Sequence, residues 1–457
     1  MADPAGTDWR LRVASRLRAV LAPRGAKASA RLAAVAVLVA AGATLLLIGG
    51  RLTKVAPLTA SAKTGAVDSR HAGADADTVL FRTLNEISSN RLDAALAEID
   101  RVIGTYPNFR LAHLIKGDLL MARARPITTL GNTNHVPQER LDELREEAKA
   151  RLARHLQERP RDRVPRYLVQ LQPGQRHAFV LDTAKSTLYV FENHNGSPRY
   201  IADYYITIGK NGIHKIREGD KKTPLGVYHV TNSLPRDRLV AMYGKLSELY
   251  GNGAFPINYP NEWDRRQGRN GYGIWLHGVP FDTYSRPPRA SDGCVALTNE
   301  DLEAIAKNVQ VGLTPVIIAE GVEWVEPGAT EALRRELLQQ LDSWRRDWES
   351  LDAGKYLAHY AAGFSSGKMD LAQWSQYKRK VNANKSWIEV RIDAISIFQY
   401  PGMDNLAVVT FEQDYASSNL SQQTRKRQYW TKEGGRWKIL YEGSAETAPV
   451  APPLRTG

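Results

Sequence analysis

The only cysteine of the 457-residue chain, Cys294, is the residue best suited to covalent chemistry. It follows Gly293 in the stretch SDGCVAL, and His277 ends the apolar stretch GIWLH seventeen positions earlier. A thiol attacks as the thiolate, and because a free cysteine titrates near pH ~8.5, it needs a neighbouring base or cation. Two strands ending and beginning at these residues can bring an imidazole and a thiol within hydrogen-bond reach. The pattern predicts nucleophilic catalysis, with Cys294 as the nucleophile and His277 as its base.

Gly293 permits a tight backbone turn beside the thiol because it has no Cβ atom. The amides of Gly293 and Cys294 are expected to face an oxyanion, which in comparable sites lowers the barrier by roughly 3–4 kcal/mol. A lone cysteine is also compatible with an inert, buried role as a small hydrophobic residue. One cysteine with scattered histidines lacks the spacing of a metal site, so we predict no metal and no cofactor.

The segment that must position these residues reads as short strands. The stretch HAFVLDTAKSTLYVFENHNGSPRYIADYYITIG alternates strands with turns at DTAKS and NHNGS, and GDKKTPLGVYHV follows it. A short helix from Asn299 to Lys307 and a final apolar strand, TPVIIA, complete the pattern. We predict a mainly β domain over residues 165–320. The loop 251–273 runs into the His277 strand, and we expect it to form the wall of a substrate groove.

A helical region is predicted over residues 79–160, upstream of the β domain. Leu92, Leu96, Ile99 and Ile103 form one apolar stripe, and a second stripe follows a break at Pro107. The two stripes resemble a tetratricopeptide-type helix pair, although an ordinary helical hairpin fits equally well. One such unit cannot form a solenoid, so we expect it to dock on a neighbouring domain or to self-associate.

The C-terminal part predicts a third domain, over residues 330–446. Its first helix carries large apolar residues on one side: Leu337, Leu341, Trp344, Trp348 and Leu351. Three strand-like stretches follow, WIEVRIDAISIFQY, NLAVVTFEQDYAS and RKRQYWTKEGGRWKILYEG. A helical layer followed by a curved antiparallel sheet is an α+β arrangement. The tail, 447–457, is expected to be disordered.

The N-terminus has the pattern of a membrane anchor. Residues 1–31 hold seven basic and two acidic residues, and residues 32–50 contain no charge. At ~1.5 Å per residue those nineteen residues span roughly 28 Å, close to the hydrocarbon thickness of a bilayer. The positive-inside rule places 1–31 in the cytoplasm and the rest outside, after a linker over 51–78. A cleaved signal peptide, ending at the ASA of positions 60–62, is the alternative.

The composition is that of an ordinary globular protein, with 43% hydrophobic and 24% charged residues and a net charge of +13. A nucleic-acid-binding protein would cluster its basic residues on one face beside groove-reading elements. The densest basic cluster is instead the tail 1–31, so we predict no nucleic-acid partner. The predicted location is the inner membrane by a single span, with the later domains in the periplasm.

The order of motifs LHG, SDGCVAL and the preceding GDKKTPLGVY resembles the L,D-transpeptidase catalytic domain, called the YkuD type, over residues 165–320. The resemblance implies that a histidine activates the cysteine. The thiolate then attacks the carbonyl at the L-centre of diaminopimelate in a peptidoglycan tetrapeptide stem, D-alanine leaves and a thioester remains. An amine resolves the thioester into a 3→3 cross-link or a protein attachment, whereas water resolves it into a trimmed stem.

Carried over by position, Cys294 is the nucleophile and His277 the base, and Gly293 with Ser291 shapes the turn and the oxyanion site. The resemblance also implies a group of substrate-binding residues: Ser291, Asp292, Arg289 and Gly278. The TPLG stretch, positions 223–226, matches a structural turn of the family.

The chain departs from the family at two positions. Asp292 stands where a histidine is common, and Ala296 where an arginine or asparagine often binds the substrate carboxylate. Three nearby arginines are candidates for replacing that contact: Arg269, Arg286 and Arg289.

The C-terminal domain resembles nuclear-transport-factor-2-like (NTF2-like) folds, whose cone we expect to act as an accessory that binds glycan or a partner. With the helical region and the YkuD-type domain, it makes the chain multidomain α+β. That combination resembles the L,D-carboxypeptidases that trim stems in curved and helical bacteria. Cross-linking transpeptidation is our first prediction, trimming the second, and a non-catalytic peptidoglycan-binding scaffold the third.

Overall fold

The computed structural model describes residues 76–127, 129–132, 136–157 and 162–445. The predicted segments 1–31, 32–50 and 447–457, and nearly all of the linker, lie outside these residues. No helix within the described ranges has the length and apolar character needed to cross a membrane. The chain divides into two compact units, one built on the helices up to Leu156 and the other starting at Gln157.

The first unit contains four helices and the short segment Asp282–Pro287. The helices are α1 Ala76–Ser88, α2 Leu92–Thr105, α3 Arg110–Ala122 and α4 Gln138–Leu156. The predicted break at Pro107 lies between α2 and α3, and the predicted stripes supply buried residues such as Ile99 and Leu111. The helical hairpin is therefore confirmed, and its tetratricopeptide character stays a prediction.

Helix α4 buries a charged face. Glu147 and Arg151 are almost fully buried, as is Leu141, whereas Leu156 is 42% exposed. The Arg151 guanidinium lies 2.5 Å from a carboxylate oxygen of Asp77 in α1 and 2.9 Å from Glu147. Because buried charges are tolerated when they are paired, this contact joins α1 and α4 in addition to the apolar packing of Leu144 and Ala148.

The second unit begins with the predicted β domain, which the structure confirms as mainly β. Its strands are β1 Val164–Pro165, β2 Leu168–Gln170, β3 His177–Asp182, β4 Thr187–His194, β5 Ser197–Tyr205, β6 Ile208–Gly209, β7 Gly226–His229, β8 Leu234–Pro235, β9 Gly253–Pro256, β10 Trp275–His277, β11 Arg289–Ser291, β12 Val295–Ala296, β13 Pro315–Ala319 and β14 Trp324–Val325. Its helices are α5 Arg236–Tyr243, α6 Glu262–Arg266 and α7 Asn299–Ala306, and a 3₁₀ helix spans Gly244–Tyr250.

Two sheets of this domain enclose its core. One has the order β5-β4-β3-β13-β7, and the other has the order β12-β10-β9-β8. The predicted strand TPVIIA is the buried β13, which runs parallel to β3 and antiparallel to β7. Apolar residues from both sheets, including Phe179, Val316 and Leu276, form one continuous core. The second sheet carries the histidine strand and the cysteine strand.

The C-terminal domain joins helices to a long sheet that is antiparallel, as predicted, except where β15 pairs in parallel with β20. Its elements are α8 Glu331–Glu349, α9 Ala353–Leu357, β15 Tyr360–Ser366, β16 Met369–Asp370, α10 Leu371–Ala383, β17 Ile388–Gln399, β18 Leu406–Ser417, β19 Leu420–Glu433 and β20 Arg436–Ser444. Trp344 and Trp348 of α8 are buried against the sheet, in agreement with the predicted stripe.

The β domain and the C-terminal domain share a sheet, which the sequence did not predict. Strand β2 adds to the edge of β17 and extends the C-terminal sheet to seven strands. Their apolar residues also form a common cluster, in which the Trp263 ring of α6 stacks 5.8 Å from the Tyr429 ring. Beside it, the Arg427 guanidinium lies 3.0 and 3.2 Å from the two carboxylate oxygens of Glu262. The two domains are therefore packed as one body.

Candidate active site

Strand β10 brings His277 next to the strand that follows Cys294. In β10, His277 pairs with Ala254 of antiparallel β9 and with Ala296 of parallel β12. Because β12 begins one residue after Cys294, the parallel register places Cys294 beside Trp275, two residues before His277 on the neighbouring strand. The two segments are therefore neighbours in one sheet, and direct contact between the two side chains stays a prediction.

The His277 ring has a defined tautomer. Its Nδ1 lies 2.6 Å from the carbonyl oxygen of Gly278, and a carbonyl oxygen only accepts hydrogen bonds, so Nδ1 carries the proton. The Nε2 of the neutral ring is then the basic nitrogen. The ring is buried, and the Tyr250 ring packs edge-on against it at 5.3 Å between centroids. These contacts orient the imidazole and leave Nε2 as the ring nitrogen able to accept a proton.

Ser291 closes the turn that presents the cysteine. Its Oγ donates to the Cys294 carbonyl oxygen at 2.6 Å and accepts the Gly293 amide at 3.1 Å. The Gly293 amide is thus engaged inside the turn, in contrast to the prediction that it faces an oxyanion. Ser291 is likewise buried, so its hydroxyl shapes the turn as predicted and is not available as a substrate contact in this geometry.

Gly293 is required by its conformation. Its φ of +125° is one that L side chains rarely adopt, and a Cβ atom there would lie 2.9 Å from the Lys222 carbonyl oxygen. Thr223, in the predicted structural turn, donates from Oγ1 to the Gly293 carbonyl and accepts the Gly209 amide, both at 2.9 Å. The TPLG turn therefore braces the cysteine turn from behind.

Cys294 is half-buried, and its Sγ lies 3.1 Å from the carbonyl oxygen of Gly273. It packs against a small apolar cluster made of Leu234, Leu239, Tyr250, Ala254 and Trp275. Burial, with a smaller effect from Cys294, raises the pKa of Tyr250, so its hydroxyl stays neutral at physiological pH. Within the described ranges, no group of three histidine, cysteine or carboxylate side chains lies close enough together to hold a metal ion.

The other predicted substrate-binding residues have different surroundings. Gly278 is buried, and its carbonyl orients His277, so we revise its role from substrate contact to positioning. Asp292 is 73% exposed at the rim of the turn, with the ammonium groups of Lys210 and Lys221 at 3.3 and 3.9 Å. Arg289 is exposed on β11, two residues before Ser291.

One of the candidate carboxylate-binding arginines, Arg269, is already paired with a carboxylate. Arg269 forms an ion pair with the buried Asp264 at 3.1 Å, and Arg286 belongs to the segment of the first unit. The loop 251–273 is also only partly at the site. Gly273 contacts the thiol, but α6, within the same loop, packs on the C-terminal domain through Trp263.

Sequence reasoning missed two residues that hold the histidine segment. Tyr250 ends the 3₁₀ helix and packs on His277. Asn299 donates from Nδ2 to the Val279 carbonyl at 2.9 Å and accepts the Asn252 amide at 3.1 Å, fixing the chain just after Gly278. Neither residue belongs to a motif, and Asn299 was predicted only as the start of a helix.

A buried ionisable cluster inside the C-terminal domain was also unexpected, because no acid–base group stood out there in the sequence. Lys426 donates to the buried Glu442 at 2.6 Å, and the Tyr360 hydroxyl donates to the same carboxylate at 3.0 Å. The Lys378 ammonium lies 4.5 Å from the centroid of the Trp374 ring. Burial, together with the charge of Lys426, lowers the pKa of Lys378 to about 7.

Two protein families match the chain. The L,D-transpeptidase catalytic domain, YkuD, matches residues 176–318, and the Cds6 C-terminal NTF2-like domain matches residues 336–443. Both lie inside the predicted domains at 165–320 and 330–446. The chain matches none of the curated proteins with which it was compared.

Three solved structures are similar to the chain over most of their own length. Bd1075 of Bdellovibrio bacteriovorus is 30% identical, with a TM-score of 0.53 over 64% of this chain and 99% of its own length. The helical cell shape determining protein Pgp2 of Campylobacter jejuni is 27% identical, with a TM-score of 0.51, over 61% of this chain and 95% of its own. The K307A mutant of Pgp2 is 26% identical, with a TM-score of 0.51, over 67% and 100%.

Proposed function

Because the chain belongs to the YkuD-type L,D-transpeptidase family and also carries an NTF2-like domain, we propose that it transfers acyl groups from peptidoglycan tetrapeptide stems through Cys294. The observation that carries the proposal is the geometry of His277. Its Nδ1 is fixed on the Gly278 carbonyl, and its strand is paired with the strand that begins after Cys294.

The proposed reaction has two proton transfers, both through His277. His277 Nε2 takes the thiol proton, and the Cys294 thiolate attacks the carbonyl at the L-centre of diaminopimelate. The bond to the D-alanine nitrogen breaks, and the imidazolium returns the proton to that nitrogen. The stem remains attached to Sγ as a thioester. The rigid turn formed by Ser291 and Gly293 keeps the nucleophile in place during both steps.

Our first candidate for the second half-reaction is transpeptidation. The amine of a second stem, or of a protein, attacks the thioester carbonyl, its proton passes to His277, and the thiolate leaves. The product is a 3→3 cross-link or an attached protein. The match to the L,D-transpeptidase catalytic domain supports this acceptor.

The second candidate is trimming, in which water takes the place of the amine and releases a tripeptide stem. The similarity to the helical cell shape determining protein Pgp2, and the match to the Cds6 C-terminal domain, favour it. We propose for either reaction that the C-terminal domain is an accessory that binds glycan or a partner. Its packing on the catalytic domain through β2 and Glu262 supports a joint role.

We further propose that the enzyme acts in the periplasm, held by residues 32–50 as a single span of the inner membrane. The charge-free length of that segment and the basic residues before it support this location. Self-association through the helical region stays a prediction.

The test is incubation of the full-length chain, purified in detergent, with disaccharide-tetrapeptide, followed by mass analysis. Transpeptidation yields dimers joined through diaminopimelate, and trimming yields only tripeptide and free D-alanine. The Cys294→Ala variant should show neither product while unfolding at the same temperature. Turnover by that variant within tenfold of the unaltered chain would eliminate the acyl-enzyme mechanism, and no turnover by either would favour the scaffold.

A further inference from the structure

The rim of the cysteine turn carries an excess of positive charge. Lys210 and Lys221 approach the Asp292 carboxylate from two different segments, at 3.3 and 3.9 Å. All three side chains are roughly half or more exposed, at 50%, 48% and 73%. Two ammonium groups facing one carboxylate leave one positive charge uncompensated, two residues before the nucleophile.

The two lysines are placed by backbone contacts with the turn itself. The Lys210 amide donates to the Ser291 carbonyl at 2.8 Å, and the Lys222 carbonyl packs against Gly293. The Asp220 carboxylate holds the second segment by accepting several hydrogen bonds, from Lys215 Nζ and from the amides of Ile216, Arg217 and Lys222. The lysines therefore belong to a preorganised loop pair.

Lys221 also adopts a strained backbone conformation. Its φ is +56°, a left-handed value that costs a non-glycine residue on the order of 1 kcal/mol. An exposed ion pair contributes only ~0–1 kcal/mol to the free energy of unfolding. The ion pair with Asp292 therefore does not offset the cost of the Lys221 backbone conformation by a clear margin. Strain of this kind is concentrated at binding and catalytic sites.

In the family that the chain resembles, an arginine or asparagine two residues after the cysteine often binds the substrate carboxylate, but here Ala296 stands at that position. Ala296 is buried in β12, where a charged side chain would be desolvated, and Arg269 is paired with Asp264. We propose that Lys210 and Lys221 form the subsite for a carboxylate of the stem peptide, with Asp292 aligning the two ammonium groups. Each of the two residues that flank the cleaved bond carries one such carboxylate, at the C-terminus of D-alanine and on the side chain of diaminopimelate. This inference rests on the proposed function for the identity of the ligand.

The experiment measures binding, so that it does not depend on turnover. The full-length Cys294→Ala chain is titrated with three disaccharide-tetrapeptides: the free acid, its C-terminal amide, and the form amidated on the diaminopimelate side chain. We expect one amide to bind about tenfold more weakly than the free acid, because a charge-assisted contact is lost. The weaker amide identifies which carboxylate the lysines hold.

Adding Lys210→Gln and Lys221→Gln should weaken free-acid binding about tenfold and erase the preference over that amide. Lys210→Arg with Lys221→Arg should restore the preference. The matched control is Lys185→Gln, which removes a 43% exposed lysine lying 3.9 Å from Asp182 and should change nothing. A preference that survives in the glutamine variant, or no preference in the starting chain, overturns the inference. Acid-selective binding with no turnover by the unaltered chain would instead retain the subsite and reject the proposed reaction.

Discussion

The Nδ1 of His277 lies 2.6 Å from the carbonyl oxygen of the next residue, Gly278, and this contact decides which nitrogen can do chemistry. A backbone carbonyl cannot donate a proton, so the neutral ring is protonated at Nδ1 and basic at Nε2. In many cysteine and serine enzymes a carboxylate orients the histidine. Here a backbone carbonyl does so, supported by the edge-on packing of Tyr250.

Replacing His277 with alanine should therefore make the thiol behave as an unassisted cysteine. We expect the pH dependence of Cys294 alkylation to move toward ~8.5 and the rate at pH 7 to fall by about tenfold or more. The exposed His194 on β4 provides the control, since His194→Ala should leave the alkylation profile unchanged. An alkylation profile that is the same in His277→Ala and the unaltered chain would show that the two residues are not coupled.

Gly293→Ala should impair both stability and chemistry. A Cβ atom at this φ of +125° would be strained and would contact the Lys222 carbonyl at 2.9 Å. We expect a loss of ~1–3 kcal/mol in the free energy of unfolding, and turnover lower by on the order of 100-fold as Cys294 shifts. Gly321→Ala is the matched control, because a Cβ there meets no atom within 4 Å. Urea unfolding and tetrapeptide turnover measure the two effects, and near-normal turnover in Gly293→Ala would contradict the assigned role of the turn.

The adjacency of the His277 and Cys294 segments was predictable because each residue lies at a strand boundary beside a glycine. Local patterns of that kind fix short strands and tight turns, whereas the TPLG turn was predicted from the family resemblance. The helix at Asn299 and the apolar stripe of α8 also follow from local periodicity.

Contacts between distant segments could not be predicted in this way. Strand β2 pairs with β17 more than two hundred residues later, and its own three residues carry no alternation that marks a partner. Tyr250 reaches His277 from a 3₁₀ helix whose two leucines, Leu246 and Leu249, are more than 40% exposed, so its apolar spacing does not mark the buried side. The buried ion pair of α4 could not be predicted either, because the residue that neutralises Arg151 is Asp77, far away in the chain.

Lys378→Met should stabilise the C-terminal domain at low pH. Burial lowers the pKa of Lys378 to about 7 in the folded state, below the ~10.5 of an unfolded chain. The unfolded chain thus binds a proton between pH ~10.5 and 7 that the folded domain does not, and stability falls as the pH decreases through that window. The gain from Lys378→Met should be full below pH 7 and vanish near pH 10.5. Urea unfolding at a series of pH values across this range measures the gain. The control is Lys380→Met, which changes an exposed lysine of the same helix. A gain in stability that does not depend on pH would contradict the prediction.

A reporter that is active only in the periplasm, fused after residue 51, tests the membrane prediction. We expect activity, because the charge-free residues 32–50 follow a basic N-terminus. The mature protein should also keep residues 1–31. A mature N-terminus at Lys63, just after the ASA stretch, would show that the segment is a cleaved signal.

Glu262→Ala should uncouple the catalytic domain from the C-terminal domain. Glu262 and Arg427 form a bidentate pair whose side chains are only about one-tenth exposed, and Tyr429 packs beside it on Trp263. Removing the carboxylate leaves the Arg427 guanidinium buried without its counter-charge, which typically costs ~3–5 kcal/mol. The shared β2–β17 pairing then lacks its neighbouring ion pair, so we expect unfolding at lower urea and a transition that separates into two steps. Glu326→Ala removes an exposed carboxylate paired with Arg163 and should change stability little. A single transition at the unaltered urea midpoint in Glu262→Ala would mean that the apolar cluster alone joins the domains.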